Sequence, residues 1–519
     1  MSRTKNASRN IVFGFINKTI VLLFPFVLRT VLIKSLGSEY LGLNGLFTSI
    51  LQVLNLAELG FSSAIVFSMY KPIVDKDSDT ICALMNLYKK IYRIIGLIIF
   101  LIGLSLLPLL PFLIKGSYPS EINIYYLYII YLINTGVSYF LFAYKSSLLI
   151  AHQRSDITSN IQSVTYILQY VFQIIVLIKL KNYYLFISIQ ILSTILNNIL
   201  VAFITKKRYP NYVCKGNIDE TTKNNIKKRV SGLMINKVCQ TTRNSLDSIC
   251  ISCFLGLKVV AIYSNYYSII QALMGFLSIL SSSIIAGIGN SIVVESEEKN
   301  YNDMKKINFL YMFISGWITV CLLCLYQPFM KIWMGEKYMF SNSVIILLCI
   351  YFYSLEMGVI RGAYSDAKGL WFENRYRAIA ESIANILLNV LLVNYLGIYG
   401  IILGTLISLL IINFGYGSQI LYKHYFIKER ISDYFLDHGT YATITLMICV
   451  ITYFICSFIK IDGIIGLFIK AIICLFIPII LYLLIYSRTK IFKESMSYFK
   501  KINFVKKILN KLKKIKRSN

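Results

Sequence analysis

Apolar runs of about 20 residues follow one another along the whole of this chain. An α-helix needs about that length to cross the hydrocarbon core of a membrane, and backbone polar groups in lipid must be satisfied within the segment itself. The composition agrees, since 57% of the residues are hydrophobic and only 15% are charged. The sequence therefore predicts an all-α integral membrane protein with about fourteen transmembrane helices.

Two halves of the chain repeat each other at a spacing of 219 residues. Without gaps, residues 14–65 match residues 233–284 at twelve positions, and Leu36-Gly37 with Leu255-Gly256 is one matched pair. Internal repeats in a membrane chain are typical of transporters, whose site lies between the repeated halves. The predicted fold is therefore two six-helix pseudo-symmetric bundles, followed by two helices outside the repeat.

The predicted spans divide the chain into seven segments. These are a cytoplasmic N-terminus (1–10), an N-terminal six-helix bundle (11–205), a cytoplasmic linker (206–231), a C-terminal six-helix bundle (232–422), a cytoplasmic loop (423–439), two additional transmembrane helices (440–487) and a basic amphipathic cytoplasmic tail (488–519).

Lysine and arginine fall mostly on one side of the predicted membrane. If the N-terminus is cytoplasmic, 38 of the 53 basic residues lie in inside segments and seven in outside segments. This asymmetry predicts that both termini are cytoplasmic. It also accounts for most of the net charge of +29, so we expect the lipid bilayer, and no nucleic acid, as the partner of the basic surface.

Signatures of catalysis and of metal binding are missing. No Gly-Lys dipeptide occurs, which excludes a P-loop. Cys250 with Cys253 and Cys321 with Cys324 have CxxC spacing, but they sit in apolar helices without a nearby histidine, which favours core packing. We therefore expect no enzyme activity and no cofactor. A membrane polysaccharide polymerase stays open as an alternative of another class, although the short outer loops weigh against it.

Charged residues inside the predicted spans are the main functional candidates. Each costs about 2.5 to 3.5 kcal/mol at a helix centre, so each needs a reason to be there. Lysines near a span end can extend to the interface, whereas deep arginines cannot be explained so simply. The embedded cations are Lys18, Arg29, Lys34, Lys145, Lys237, Arg243, Arg361 and Lys470, and the embedded acids are Glu58, Asp247 and Glu356.

This excess of buried positive charge favours a phosphate-bearing substrate over a cationic drug. We predict a substrate-binding set of cations and a gating set that shares one member with it. The binding set is Arg29, Arg361, Lys145, Lys18 and Lys237. The gating set is Arg29, Asp247, Arg243 and Glu58.

Arg29 maps through the repeat to Ser248, one residue from Asp247. We therefore predict an ion pair between Arg29 and Asp247 that breaks between the inward-open and outward-open states. Arg243, four residues before Asp247, could instead neutralise it on the same helix. A structural role in pairing helices is an equal alternative for Glu58.

Two stretches resemble a known family. The first is FVLRTVLIKSLGSEYLGLNGLFTSILQVLNLAELGFSSAI from Phe26, followed by SMYKPIVDKD and NLYKKIYRIIG, and it is similar to bacterial polysaccharide flippases of the Wzx type. The second, ESIANILLNVLLVNYLGIYGIILGTLIS from Glu381, resembles the eleventh and twelfth spans of the superfamily that also holds MATE drug exporters and lipid II flippases. The motif residues there are Glu381, Asn385, Gly404 and Thr405.

The resemblance implies two bundles facing each other in a V around a central cavity, with alternating access. It implies a bacterial cytoplasmic membrane protein that flips an oligosaccharide repeat unit on undecaprenyl pyrophosphate for capsule, O-antigen or exopolysaccharide assembly. Lipid-linked oligosaccharide is then the substrate, with polysaccharide polymerase and chain-length machinery as further partners. A lipid II flippase and a MATE-type cation-coupled drug exporter stay open, as does coupling to the membrane potential, H⁺ or Na⁺.

Overall fold

The computed structural model describes residues 3–58, 61–116 and 118–501. Within those ranges every regular element is a helix. Nine of the described helices are long and apolar enough to cross a membrane, or up to eleven spans if each of two bent helix pairs is counted as one. The predicted all-α membrane fold is confirmed, whereas the count of fourteen is not. One reason is that some helices are too short to be counted as membrane spans by themselves, such as the helix Ser38–Leu54 with 17 residues.

Two compact units divide the chain. The first unit comprises Met1–Asn265 with Val393–Gly397, and the second comprises Tyr266–Leu392 with Ile398–Asn519. The segment boundaries predicted from the sequence stay a prediction.

The first unit is built from nine helices and the beginning of a tenth. They are α1 (Arg3–Ser35), α2 (Ser38–Leu54), α3 (Phe61–Asp75), α4 (Ser78–Ser105), α5 (Ile124–Phe140), α6 (Ser146–Ala151), α7 (Ser155–Lys179), α8 (Tyr183–Arg208), α9 (Glu220–Leu255) and α10 (Leu257–Val294).

The second unit continues α10 and adds nine helices. They are α11 (Glu297–Trp333), α12 (Asn342–Met357), α13 (Val359–Lys368), α14 (Arg375–Leu396), α15 (Ile398–Ile407), α16 (Gly417–His424), α17 (Ile431–Ser457), α18 (Gly463–Tyr486) and α19 (Lys490–Lys501). A π-helical segment, Ser408–Tyr416, joins α15 to α16. Residues 502–519 of the predicted amphipathic tail lie outside the described residues.

The duplication is visible in the helix boundaries. The spacing of 219 residues that relates the sequences also carries the start of α2 at Ser38 to the start of α10 at Leu257, and the end of α3 at Asp75 to the end of α10 at Val294. Gly37 and Gly256 precede α2 and α10, and their φ angles are 116° and 88°. Side chains rarely adopt such positive φ values, which explains why glycine stands at both turns.

Small residues set the helix packing of the first unit. A Cβ atom on Gly42 of α2 would lie 2.2 Å from the carbonyl oxygen of Leu257, so the backbones of α2 and α10 touch there. Gly45, one turn further along, faces Val260 in the same way at 3.1 Å. The glycines of the LGLNG motif are therefore a packing device that holds the first turns of α10 against α2.

The last helices of the second unit pack against α11. Both α17 and α18 contact α11 and each other. A Cβ atom on Gly316 of α11 would lie 2.3 Å from the hydroxyl of Tyr482, which itself is 2.7 Å from the hydroxyl of Thr445. The two helices outside the repeat are thus built onto the second unit by close packing at a glycine and a buried hydrogen bond.

Candidate functional site

Arg29 lies on α1 of the first unit, one turn after Pro25. Its Nη1 donates to the Ser264 hydroxyl at 3.2 Å and to Oδ1 of Asn265 at 3.1 Å, both on α10. Gly45 of α2 stands beside Ser264, and a Cβ atom there would be 3.9 Å from its hydroxyl. Two neutral side chains therefore hold this guanidinium, and within the described residues it makes no ion pair.

Asp247 is buried on α9 and accepts a hydrogen bond from the Tyr263 hydroxyl at 3.4 Å. Tyr263 directly precedes Ser264 and Asn265, so one turn of α10 contacts both Asp247 and Arg29. The predicted ion pair between Arg29 and Asp247 is not among the described contacts of this conformation. Because that pair is expected in one transport state only, it stays a prediction.

Arg361 lies on α13 of the second unit and is only 4% exposed. Its Nη2 donates to Oδ1 of Asn413 at 3.0 Å, and the amide of Asn413 donates in turn to Glu381 at 2.8 Å. Glu381 also pairs with Arg377 at 3.0 Å. The Nε of Arg361 is buried without a hydrogen-bond partner among the described residues. An unsatisfied buried donor of this kind calls for an explanation, such as a ligand or a water molecule.

Local backbone geometry makes this network possible. Asn413 stands in the π-helical segment, a structure that is rare and is often found at functional sites. Gly417 follows that segment, and a Cβ atom there would lie 2.0 Å from Nη1 of Arg361. The absence of a side chain at Gly417 thus creates the space that the guanidinium occupies.

A cavity of about 440 Å³ lies in the second unit, and Tyr416, the residue before Gly417, is part of its lining. Arg375 is held at its edge, with the guanidinium carbon 3.1 Å from the centre of the Phe372 ring and 4.3 Å from that of Tyr376. Cationic and hydrogen-bonding groups in such a lining suit phosphate oxygens. The lining residues are Phe372, Glu373, Arg375, Tyr376, Tyr416, Gln419, Ile420, Lys423 and His424.

Sequence reasoning missed this part of the second unit. Arg375, Arg377 and Lys423 counted only as loop charges, and Asn413 attracted no attention as a neutral residue in an apolar span. The sequence feature that could have indicated this site is the pair of glycines Gly415 and Gly417, which interrupts the apolar pattern next to Asn413.

Glu58 ends a short 3₁₀ segment, Asn55–Glu58, between α2 and α3. Its carboxylate accepts hydrogen bonds from Tyr92 of α4 and from Tyr139 of α5, the second at 2.7 Å. These bonds join three elements of the first unit, which suits the structural alternative for Glu58. The residue 219 positions after Tyr92 is Tyr311, whose hydroxyl donates to the buried Glu356 of the second unit.

The two predicted lysines whose side chains the structure describes lie on different elements. Lys18 is exposed on α1, and Lys145 is half-buried at the bend between α5 and α6, where its Nζ lies 5.1 Å from the centre of the Phe142 ring. Neither makes an ion pair in the part of the chain that the structure describes. The side chains of Lys237 and Arg243 lie outside the described ones.

The motif of the second resemblance is a helix contact. The amide of Asn385 on α14 donates to the hydroxyl of Thr405 on α15 at 2.9 Å. A Cβ atom on Gly404 would lie 2.4 Å from Oδ1 of Asn389 and 3.0 Å from its backbone nitrogen. Gly404 and Thr405 therefore hold α15 closely against α14.

Comparison with known proteins gives a family for the chain and solved structures that share its fold. A family model described as polysaccharide biosynthesis protein matches residues 7–285. No curated protein matches the chain significantly. The fold is similar to that of lipid II flippase MurJ in an inward closed conformation, with a TM-score of 0.66 and 16% identity over 92% of this chain and 98% of that one.

Two further structures share the fold. An inward-facing multidrug resistance MATE family transporter of the MOP superfamily has a TM-score of 0.60 and 15% identity, over 79% of this chain and 97% of that one. A MOP superfamily transporter from Pyrococcus furiosus has a TM-score of 0.53 and 14% identity, over 80% and 96%. At such identities the likeness shows the fold alone.

Proposed function

Since the chain belongs to the polysaccharide biosynthesis protein family, we propose that it is a flippase for oligosaccharide repeat units linked to undecaprenyl pyrophosphate. It moves them by alternating access from the inner to the outer leaflet of the bacterial cytoplasmic membrane, with both of its own termini in the cytoplasm. The product supplies capsule, O-antigen or exopolysaccharide assembly, where a polymerase and chain-length proteins are the expected partners.

One observation carries this proposal. Each unit places an arginine inside the protein and holds it with neutral side chains, Arg29 with Ser264 and Asn265, and Arg361 with Asn413. Among the described residues neither guanidinium is neutralised by an ion pair. A guanidinium that keeps its positive charge and some free donors is suited to phosphate oxygens, which it can bind with two parallel hydrogen bonds.

The charge of the head group also gives transport a direction. The membrane potential is worth about 2.3 kcal/mol per elementary charge per 100 mV, and the inside of the cell is negative. A diphosphate diester with two negative charges would therefore gain about 4.6 kcal/mol per 100 mV on moving outward, if nothing neutralised it. Coupling to H⁺ or Na⁺ remains an open alternative source of energy.

The test is to deplete the protein in its host and to quantify lipid-linked oligosaccharide in each membrane leaflet. We expect complete repeat units to accumulate on the inner leaflet while surface polymer falls. Arg29→Gln and Arg361→Gln should fail to restore transport. Arg488→Gln, which makes the same change on an exposed arginine, should restore it.

A normal pool of lipid-linked oligosaccharide after depletion would refute the proposal. Accumulation of lipid II instead would favour a lipid II flippase, the second candidate that the likeness to MurJ supports. Changed drug efflux would favour a MATE-type exporter, and glycosyl transfer by the purified protein would favour a polymerase.

The proposed gating pair has its own test. Arg29→Asp and Asp247→Arg should each abolish transport, and the two changes together should restore part of it if the side chains pair in one transport state. A double variant as inactive as the single variants would argue against pairing.

A further inference from the structure

Three buried cysteines from three different helices meet in the second unit. They are Cys324 of α11, Cys456 of α17 and Cys474 of α18, and their sulfur atoms all lie within 4.8 Å of one another. Cys324 belonged to a CxxC pair that the sequence favoured as core packing, but its thiol neighbours come from elsewhere in the chain. The convergence of three thiols is a property of the tertiary structure.

The position of Cys474 is fixed by its own backbone. The carbonyl oxygen of Cys474 accepts a hydrogen bond from the indole nitrogen of Trp317 at 2.9 Å, and a weaker one from the thiol of Cys321 at 3.5 Å. Both donors lie on α11, the helix that carries Cys324. These bonds hold α18 against α11 at the height of the thiols, which is the kind of support that positions a ligand before it binds.

We propose that Cys324, Cys456 and Cys474 form a binding site for a soft metal ion, and that monovalent copper fits it best. Thiolate ligands select soft ions. Structural zinc almost always has four ligands. Among the described residues no further histidine, cysteine, aspartate or glutamate belongs to the cluster. Three sulfur atoms alone suit a three-coordinate monovalent copper ion better than a tetrahedral divalent one.

Charge and protons can be balanced at this site. Each thiol that binds the ion loses its proton to solvent, and a monovalent ion with three thiolates carries a net charge of minus two. Lys470 lies one turn before Cys474 on α18 and is close enough to Cys456 to interact with it electrostatically. Its ammonium group offsets part of that charge, which gives a reason for a lysine inside the strongly apolar helix α18.

A cavity lies next to the helical turns that carry two of the thiols. It has a volume of about 290 Å³ and is lined in part by Pro328, Asp462 and Lys470. Pro328 lies one turn from Cys324, and Lys470 lies one turn from Cys474. On each of these two helices the lining of the cavity is therefore about one helical turn, or about 5.4 Å along the axis, from a cysteine of the cluster.

The test uses the full chain, purified in detergent without oxygen and titrated with monovalent copper against a competing chelator. We expect one tightly held equivalent and a sulfur-only copper environment of three ligands in X-ray absorption. Cys474→Ser and Cys456→Ser should each lower the affinity at least tenfold. Cys349→Ser, an equally buried cysteine of the same unit outside the cluster, should leave it unchanged.

A second measurement needs no variant. Copper should protect Cys324, Cys456 and Cys474 from alkylation, as read by mass spectrometry, while Cys349 stays as reactive as before. The proposal is overturned if the protein retains no copper against the chelator, if Cys474→Ser binds it as tightly as the natural chain, or if two of the three cysteines are isolated as a disulfide.

Discussion

Adding one methyl group at Gly417 should disable the arginine network of the second unit while leaving the fold in place. The new Cβ atom would lie 2.0 Å from Nη1 and 2.8 Å from Cζ of Arg361, whereas ordinary contacts begin near 3.4 Å. The guanidinium, at the end of a flexible side chain, must therefore retreat by about 1 Å or more. Its 3.0 Å hydrogen bond to Asn413 would then break.

The magnitude follows from the lost interaction. A hydrogen bond to a charged group contributes about 1.5 to 3 kcal/mol. Replacing a helical glycine by alanine returns about 0.5 to 1 kcal/mol. We therefore expect Gly417→Ala to lower the free energy of unfolding by about 0.5 to 2.5 kcal/mol. This is too little to prevent folding, but transport should fall as strongly as it does in Arg361→Gln.

The assay compares surface polymer and leaflet-resolved lipid-linked oligosaccharide in depleted cells that express each variant at equal levels. Gly362→Ala is the matched control, because Gly362 adjoins Arg361 on α13 but a Cβ atom there would meet no neighbouring atom within 4 Å. It should transport normally. Equal transport by the two alanine variants would refute the role assigned to the network.

Three further perturbations test the first unit. Asp156→Asn should lower the free energy of unfolding by about 3 kcal/mol, measured in detergent, because it leaves the buried Arg154, now bound at 2.8 Å, without its carboxylate. Tyr139→Phe should cost about 1.5 to 3 kcal/mol by the same measurement, since it removes a hydrogen bond to Glu58. Hydrogen bonds from neighbouring threonines lower the pKa of Asp219 from 3.8 to about 2. The stabilisation that the Asp219 carboxylate gives to the start of α9 should therefore be complete above about pH 4 and should be lost as the pH falls through 2. Amide exchange at the start of α9, corrected for intrinsic rates, should report that loss.

Each of these has a control. Glu220→Gln removes the carboxylate of an exposed ion pair and should lower the free energy of unfolding by less than about 1 kcal/mol. If Asp156→Asn costs no more than that, burial does not strengthen the ion pair between Arg154 and Asp156. Tyr125→Phe removes an exposed hydroxyl and should be neutral, so equal stability of Tyr139→Phe would contradict the hydrogen-bond argument. Asp219→Asn keeps a capping oxygen but cannot titrate, and persistent pH dependence in that variant would exclude Asp219 as its source.

Much of the fold could be predicted because its signals are local. The length of the apolar runs identifies the membrane as the solvent, and backbone hydrogen bonding in lipid then leaves the helix as the choice. The repeat predicts the turns at Gly37 and Gly256 as well. The number of spans is harder to predict, because one apolar run can fold into two helices, as it does for α2 and α3.

Of the candidate site, only the charged residues could be predicted from the sequence. Arg29 and Arg361 stood out because charge inside an apolar span is costly wherever the side chain points. Their partners did not, because neutral residues such as Asn413 carry no such cost in a sequence.

The amino-acid sequence by itself determined that the chain is a membrane protein, that its regular elements are helices and that two parts of it repeat each other. Only the tertiary structure decided which side chains meet, as it does for Arg361 with Asn413 and for the cysteine cluster of Cys324, Cys456 and Cys474. The physical reason is that a contact between separate helices depends on how each is rotated and how closely it packs. Glycines such as Gly42 and Gly417 allow the close approach of atoms from distant parts of the chain, here the carbonyl oxygen of Leu257 and the guanidinium of Arg361.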